Sequence, residues 1–108
     1  MNFVTYFTYK AVLNKIVDAD TLDATLDLGF SVFKKVRCRL AGINAPELST
    51  PEGKIAKQFL IETLPLNSEI TVESKGYDKY GRSIAVIYFN GESINKKLLD
   101  TGHAVPYI

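Results

Sequence analysis

Two aspartates separated by one residue, Asp18 and Asp20, have a spacing that suits metal chemistry. In an extended chain, residues i and i+2 point to the same side, so both carboxylates could reach one oxygen-seeking cation such as calcium. The same pair is also typical of a solvated turn. Asp18 and Asp20 are therefore candidate metal ligands only in combination with other residues.

Two arginine-containing segments could bind phosphate, because a guanidinium group presents a planar fork that matches phosphate oxygens. Arg37 and Arg39 alternate with Cys38, so their side chains share one face of a predicted strand. Further along, Asp78-Lys79-Tyr80-Gly81-Arg82 supplies two cations and an aromatic ring beside a glycine. Taken alone, the first segment could be a solvated strand face and the second a charged hairpin loop.

A turn-like segment, Asn44-Ala45-Pro46-Glu47, supplies an amide oxygen, backbone carbonyl groups and a carboxylate. Such residues usually indicate only a turn. Combined with the segments above, however, they complete a set suited to phosphodiester hydrolysis. That set has oxygen ligands for a metal, a carboxylate that could take a proton from water, and two arginines for the charge on a five-coordinate phosphorus.

The composition of the 108 residues excludes several other classes of protein. The length fits a single domain, residues 1–108, and no apolar run approaches the roughly 20 residues that span a bilayer, so we expect no membrane partner. The net charge of +1 is too small to coat nucleic acid by bulk charge. Because Cys38 is the only cysteine of these 108 residues and His103 the only histidine, a disulfide within them, a cysteine-rich zinc site and a histidine-based triad are excluded. The N-terminal segment lacks the basic and apolar regions of a secretory signal, so we expect a cytoplasmic protein.

The elements that must position these residues are mainly strands. Five segments have strand-like composition or period-two alternation: 11–17, Thr21–Leu28, 35–40, Glu69–Ser74 and Ser83–Phe89. The first three follow one another closely, which predicts an antiparallel meander. The fifth is apolar on both faces, which predicts a central strand, and Asn90-Gly91 after it is a strong hairpin signal.

Two helices are expected as well. The first has apolar residues at helical spacing, Ile55, Ala56, Phe59, Leu60 and Leu64. Thr50 is its expected N-cap, and Pro65 should end it by Leu64. A short second helix would begin near Ile94 and end at Gly102. The prediction is a mainly β (α+β) fold: a five-stranded barrel, as in the OB-fold, with one helix between strands 3 and 4 and a short helix near the C-terminus.

Three motifs occur in the order and approximate spacing of the staphylococcal-nuclease-like (thermonuclease) family. They occupy residues 17–22 (VDADTL), 39–47 (RLAGINAPE) and 78–82 (DKYGR). The resemblance extends over nearly the whole chain. It implies an OB-fold barrel and calcium-dependent cleavage of DNA and RNA.

By the same resemblance, Asp20 is similar to a direct calcium ligand and Asp18 to an acidic neighbour that acts through water. Glu47 resembles the residue that activates or orients the attacking water. Asn44 stands where well-known members carry a second calcium-binding aspartate, and Ala45 stands where they carry threonine. An amide oxygen and a backbone carbonyl still suit calcium, but the lost negative charge predicts weaker affinity or acceptance of another divalent ion.

Arg39 and Arg82 resemble the pair that grips the phosphate and stabilises its transition state. Lys79 and Tyr80 resemble contacts to a terminal phosphate of a bound nucleotide. Tyr107 corresponds to a base-stacking tyrosine if one residue is missing nearby. The resemblance therefore implies DNA or RNA as the partner.

The end of the chain differs from the pattern of the family. Well-known members continue into a further helix that packs on the barrel, whereas this sequence stops at Ile108. Apolar barrel surface would then be uncovered, which predicts a homodimer. The alternative cover is the aromatic N-terminal stretch that contains Phe3, Tyr6, Phe7 and Tyr9.

The leading interpretation is a calcium-dependent nuclease that hydrolyses phosphodiester bonds of DNA, RNA or both. The alternative is a catalytically weak or inactive OB-fold module that binds single-stranded nucleic acid or a protein partner. Such modules typically lack the arginine-glutamate-arginine set, so Arg39, Glu47 and Arg82 favour catalysis. A purely structural domain would leave the ordered motifs unexplained.

Overall fold

The computed structural model of the chain describes residues 7–107. In chain order, its elements are β1 (Phe7–Asp18), β2 (Thr21–Asp27), β3 (Phe33–Leu40), β4 (Ile43–Asn44), α1 (Pro51–Thr63), β5 (Glu69–Tyr77), β6 (Ser83–Phe89), β7 (Glu92–Ser93), α2 (Ile94–Asp100) and β8 (Val105–Pro106). Each of the five predicted strands and both predicted helices is present. In the predicted aromatic cover, Tyr9 packs against the core and Phe7 is exposed, while Phe3 and Tyr6 lie outside the described residues.

The five longer strands close into a barrel. Strands β3, β2, β1, β5 and β6 are antiparallel neighbours in that order. Parallel pairing of Cys38–Leu40 in β3 with Ser83–Ala85 in β6 closes the ring. The fold is thus an OB-fold barrel, and the predicted meander is confirmed. Because β6 also pairs with β7, its prediction as a central strand is confirmed too.

Strand boundaries differ from the prediction where backbone pairing continues past the buried residues. Strand β1 begins at Phe7, opposite Ser74 in β5, because ladder hydrogen bonds do not require burial of the side chains. Strand β2 ends at Asp27, so Leu28 lies in the following turn and is exposed. An irregular pairing of Tyr77 with Ser83 lengthens β5.

Helix α1 has the predicted ends. The Thr50 hydroxyl accepts a hydrogen bond from the Gly53 N–H at 3.0 Å, and the cap residue Leu64 donates its N–H to Leu60. The buried face contains Gly53 and Leu60, whereas Ile55, which was expected on that face, is 60% exposed. The apolar stripe is therefore narrower than the sequence pattern suggested.

A close approach fixes the start of α1 against the turn before it. A Cβ atom on Gly53 would lie 1.9 Å from the carbonyl oxygen of Glu47, a separation that no side chain tolerates. Only glycine allows this contact. The helix N-terminus therefore packs directly on the segment that carries Glu47.

Helix α2 covers the barrel beside β6. Ile94 and Leu98 are buried in the core, and Gly102, at φ +77°, ends the helix as predicted. The ring of His103 stacks on Phe59 with centroids 4.2 Å apart, so the histidine is a packing residue near a helix end. Neither helix within residues 7–107 is long and apolar enough to cross a membrane.

Candidate active-site cleft

A cleft of about 320 Å³ lies where the end of β3, the turn after it and the β5–β6 loop meet. Six of the ten predicted site residues line it: Arg39, Asn44, Lys79, Tyr80, Arg82 and Tyr107. They come from three separate stretches of the chain. Of the remaining four, Asp18 ends β1, and Asp20, Ala45 and Glu47 lie in the segments between strands and before α1.

Arg39 is held at the end of β3 by groups distant in sequence. Its Nη2 atom lies 3.5 Å from Oδ2 of Asp20 and 3.4 Å from Oδ1 of Asn44. Its Nη1 atom donates to the carbonyl of Leu40 at 2.9 Å. The Arg39 side chain is only 15% exposed, so its position depends on the closed barrel.

Arg37 has a different environment although it shares the outer face of β3. Its Nε and Nη2 atoms bind both carboxylate oxygens of Asp23, its cross-strand neighbour, at 2.8 and 3.1 Å. Arg37 does not line the cleft. Of the two arginines in the motif, only Arg39 belongs to the candidate site.

Asp20 lies in the turn between β1 and β2 and joins that turn to the segment after β3. Its Oδ2 accepts the N–H of Ala45 at 2.9 Å, and its Oδ1 accepts the Thr21 hydroxyl at 3.2 Å. Burial alone would raise the pKa of Asp20, but the hydrogen bonds from Asp18 and Ala45 and the charge of Arg39 lower it. This carboxylate stays ionised at neutral pH.

Asp18 and Asp20 lie close together in a turn, which is the second of the two arrangements that their spacing allowed. The extended arrangement is wrong, since Ala19 and Asp20 form a turn in which Asp18 Oδ1 accepts the Asp20 N–H at 3.1 Å. Burial, reinforced by the neighbouring Asp20 carboxyl, raises the pKa of Asp18 to about 6. The turn thus holds two carboxyl groups that repel each other when both are ionised.

The oxygen atoms around this turn are of the chemical kinds that bind a hard cation. They are the carboxylates of Asp18 and Asp20, the amide oxygen of Asn44 and the carbonyl of Ala45, all of the kind calcium prefers. Within residues 7–107, no group of three or more His, Cys, Asp and Glu side chains comes together to hold a metal. A cation here would therefore need the amide and carbonyl oxygens, or water, to complete its coordination.

The loop between β5 and β6 positions Arg82 through Asp78. Asp78 Oδ1 accepts the N–H groups of Tyr80 and Arg82, each at 2.9 Å, and Oδ2 accepts Arg82 Nε at 2.6 Å. Burial would raise the pKa of Asp78, but these hydrogen bonds lower it. This role of Asp78 was not predicted from the sequence, although an aspartate whose side chain caps its own turn is a recognisable pattern.

The aromatic residues of the cleft lie against its cations. The Tyr80 ring centroid is 5.4 Å from the Arg82 guanidinium carbon and 5.2 Å from Lys79 Nζ. The Tyr107 ring centroid is 5.8 Å from the Arg39 guanidinium carbon. Both tyrosines are mostly exposed, at 72% and 63%, so each ring keeps a surface open to a ligand.

Tyr107 reaches the cleft because the last described residues pair with the turn after β3. Strand β8 pairs with β4, and the Tyr107 N–H donates to the carbonyl of Gly42 at 2.9 Å. Two-residue strands of this kind leave no periodic signal in a sequence. The pairing of β4 with β8 therefore could not be predicted from the sequence.

Glu47 lies in the exposed turn between β4 and α1. Its backbone carbonyl accepts the N–H and hydroxyl of Thr50 at 2.9 and 2.6 Å. Its carboxylate has no hydrogen bond or ion pair with another described residue, and it is not among the residues that line the cleft. The structure leaves this side chain free to bind solvent next to Asn44 and Ala45.

Asn95 is a further residue to which the sequence assigned no role. It is 6% exposed, and its Nδ2 donates to the carbonyls of Ala41 and Ala85 at 2.9 and 3.1 Å. Its Oδ1 accepts the N–H of Ile87 at 3.0 Å. Asn95 thereby fixes the turn that follows Arg39 to strand β6.

The sequence is similar to those of several known proteins. The chain is 37% identical over 93 residues to an uncharacterised endonuclease of Haemophilus influenzae, covering 86% of this chain and 49% of that protein. It is 34% identical over 80 residues to a micrococcal nuclease of Shigella flexneri, covering 74% and 42%. An uncharacterised 38.1 kDa protein of Capnoides sempervirens is 40% identical over 102 residues, covering 84% and 30%. The chain thus spans less than half the length of these relatives.

The family match covers most of the cleft. Residues 37–108 match the model described as staphylococcal nuclease homologue, a range that includes Arg39, Arg82 and Tyr107 but begins after the Asp18–Asp20 turn. The matched range is more than half of the chain, so the chain belongs to the staphylococcal nuclease family.

Proposed function

We propose that this domain is a calcium-dependent nuclease that hydrolyses phosphodiester bonds of DNA or RNA. The observation that carries the proposal is the placement of two guanidinium groups, Arg39 and Arg82, on one solvent-open cleft of about 320 Å³. Relatives named as nucleases support the same reaction class.

The two arginines bind the scissile phosphate and stabilise its transition state. Arg82 uses Nε for Asp78, so its two terminal NH₂ groups remain available for phosphate oxygens. Arg39 binds the Asp20 and Asn44 oxygens through Nη2, which keeps the guanidinium group in place before substrate arrives. Donors fixed in advance stabilise the charge that develops on phosphorus without having to reorganise.

Glu47 activates or orients the attacking water. Its carboxylate is exposed, has no partner among the described residues, and follows the Asn44-Ala45 segment directly. An unpaired carboxylate at the edge of the site can accept a hydrogen bond from a water that approaches phosphorus. The contact of Gly53 with the Glu47 carbonyl holds this turn in position.

Calcium would be held by Asp20, by the Asn44 side-chain oxygen and the Ala45 carbonyl, and by Asp18 through water. When bound, such an ion polarises the phosphate and lowers the pKa of nearby water. Asn44 supplies one negative charge fewer than an aspartate would, so we expect a higher calcium requirement or acceptance of another divalent ion.

Lys79, Tyr80 and Tyr107 bind the rest of the nucleotide. Lys79 supplies a cation at the mouth of the cleft, and the two exposed rings supply surfaces on which a base can stack. None of these groups requires a paired base. Both a single strand and the end of a duplex can therefore bind in the cleft.

A second function also has an observation in its favour. The Glu47 side chain lies outside the cleft lining, and no cluster of three acidic or histidine ligands forms within residues 7–107. An OB-fold module that binds single-stranded nucleic acid or a protein without cleaving it would need neither a carboxylate in the cleft nor a cluster of metal ligands. The test must therefore separate cleavage from binding.

The deciding experiment incubates the protein with single-stranded DNA, duplex DNA and RNA, each with calcium and with chelator. We expect cleavage only with calcium, and a loss of at least 100-fold in the Glu47→Gln variant. Glu52→Gln is the matched control, since Glu52 is also exposed and lies in the first turn of α1. Binding of an oligonucleotide with no cleavage under any condition would establish the binding module instead.

A further inference from the structure

A second groove lies on the outer surface of the barrel, toward the end of β3 away from the cleft. Its volume is about 410 Å³, and its walls come from β1, β2, β3 and β5. Phe33, 64% exposed, forms an aromatic wall, and Lys10, Thr25 and Thr71 supply polar groups. We call these residues, together with Lys35 and Arg37, the distal face.

The distal face continues into the cleft along one strand. Phe33, Lys35, Arg37 and Arg39 occupy alternate positions of β3, so they share its outer side. At about 3.3 Å per residue, successive side chains lie about 7 Å apart, and Phe33 lies about 20 Å from Arg39. Six stacked nucleotides, each rising about 3.4 Å, cover that distance.

The turn between β2 and β3 presents a second aromatic ring beside the groove. Phe30 is fully exposed and has φ +54°, a conformation that is costly for a bulky side chain. Two backbone hydrogen bonds nevertheless hold the turn: the Leu28 N–H donates to the Val32 carbonyl at 2.8 Å, and the Val32 N–H donates to the Gly29 carbonyl at 2.9 Å. The Phe30 side chain is exposed and packs on no other part of the barrel, so its ring is open to contact with a ligand.

Charge on the distal face is mixed but favours an anion near β3. Asp23 is bound by Arg37 and also faces Lys15 from β1, so its charge is more than balanced. Lys35 lies opposite Thr25, which binds Asn14 rather than a carboxylate.

Two carboxylates also line the groove, Asp27 and Glu69. Asp27 is already engaged, since its Oδ1 accepts the Gly29 N–H at 2.8 Å. The charge excess over the whole face is too small to bind a polyanion by charge alone, so the aromatic rings must contribute. Stacking on an aromatic ring requires an unpaired base, which selects a single strand over a duplex.

We propose that the distal face is an exosite for the single-stranded flank of the nucleic acid whose scissile phosphate lies in the cleft. A base of the flank stacks on Phe33 in the groove, and phosphates pass Lys35 and Arg37. The inference rests on the proposed nuclease function. It predicts that the enzyme prefers long single strands because they reach both regions, and that a trinucleotide reaches only the cleft.

The test compares a single-stranded 15-mer with a trinucleotide, using Phe33→Ser combined with Lys35→Glu. We expect KM for the 15-mer to rise about ten-fold with kcat unchanged, and KM for the trinucleotide to stay the same. Anisotropy of a labelled 15-mer with chelator present should show the same ten-fold loss of affinity. The matched control is Leu66→Ser with Lys54→Glu, an exposed leucine and lysine at α1 and the turn after it.

Two outcomes would overturn the exosite. Unchanged KM and affinity for the 15-mer would remove the distal face from substrate binding. Equal losses for the 15-mer and the trinucleotide would show that the substitutions act on the cleft itself. If the unaltered protein cleaves neither substrate, the proposed nuclease function fails, and the anisotropy measurement alone decides the exosite.

Discussion

Arg39 and Arg82 line the same cleft but are held there in different ways. Arg82 is bound by Asp78, four residues earlier in one loop, and the whole arrangement is local. Arg39 is bound by Asp20 from the β1–β2 turn and by Asn44 from the segment after β3. One half of the site is built by a loop, and the other half by closure of the barrel.

Because Arg39 is held by distant segments and Arg82 by its own loop, the Arg39 half of the site should be more sensitive to substitutions elsewhere in the barrel. A loop capped by its own aspartate keeps its geometry as long as the flanking strands β5 and β6 are paired. The Arg39 half requires that three chain segments meet, so any loosening of the barrel between β3 and β6 moves it. We therefore expect different substitutions to affect the two halves separately.

The largest effect should come from removing either guanidinium group. Arg39→Ala and Arg82→Ala should each lower kcat/KM for single-stranded DNA by about 100- to 1,000-fold, because each removes fixed donors to the developing charge. Circular dichroism should show the fold retained in both. Arg37→Ala is the control from the same face of β3, with all three variants also measured on a trinucleotide, which reaches only the cleft; there the activity of Arg37→Ala should be unchanged while both cleft variants lose activity. Full activity in either cleft variant would exclude that arginine from the mechanism.

Asn95→Ala should break the long-range half of the site. It leaves the Ala41 carbonyl and the Ile87 N–H without their Asn95 partner, whereas the Ala85 carbonyl keeps its bond from the Ala41 N–H, and the loss should lower the free energy of unfolding by about 2–4 kcal/mol. Urea unfolding measures this loss. Asn14→Ala removes an exposed hydrogen bond to Thr25 and should cost no more than about 0.5 kcal/mol. Similar costs for the two variants would contradict the assigned role of Asn95.

Asp78→Asn should loosen the local half while leaving the barrel intact. Arg82 loses its charged partner, and we expect kcat to fall about ten-fold with little change in thermal unfolding. Asp100→Asn, which removes an exposed ion pair to Lys96 on α2, is the control.

The pH dependence of the same loop follows from the lowered pKa of Asp78. Its contribution to stability is present above the ordinary aspartate pKa of about 4 and is lost as pH falls through the lower folded value. Proteolysis within the loop should therefore increase only below about pH 4 in the unaltered protein. Cleavage of the loop that rises already between pH 5 and 7 would argue against an ionised, hydrogen-bonded Asp78.

The smallest effect concerns the metal ligands beside Arg39. Asn44→Asp adds a carboxylate next to Asp20, so the calcium concentration for half-maximal activity should fall several-fold, since affinity follows ligand charge. Asn67→Asp adds the same charge in the exposed turn before β5 and serves as the control. No gain for Asn44→Asp over this control would remove Asn44 from the proposed set of ligands.

The sequence by itself determined the elements whose signals are local. Period-two alternation or β-prone apolar composition located the five strands, Thr50 and Pro65 located the ends of α1, and Gly102 located the end of α2. These signals depend on neighbours within one turn or one strand, so they need no knowledge of the rest of the chain. The predictions that Ile55 lies on the buried face of α1 and that Leu28 continues β2 were wrong, because the exposure of a side chain depends on what packs against it.

Only the tertiary structure decided which residues form the cleft. Alternation along β3 treats Arg37 and Arg39 alike, yet the parallel pairing of β3 with β6 brings only Arg39 to the cleft, while Asp23 binds Arg37. The Ala19–Asp20 turn and the approach of Tyr107 to Arg39 likewise join segments far apart in sequence. Contacts of this kind depend on how the sheet closes, and a one-dimensional pattern carries no information about closure.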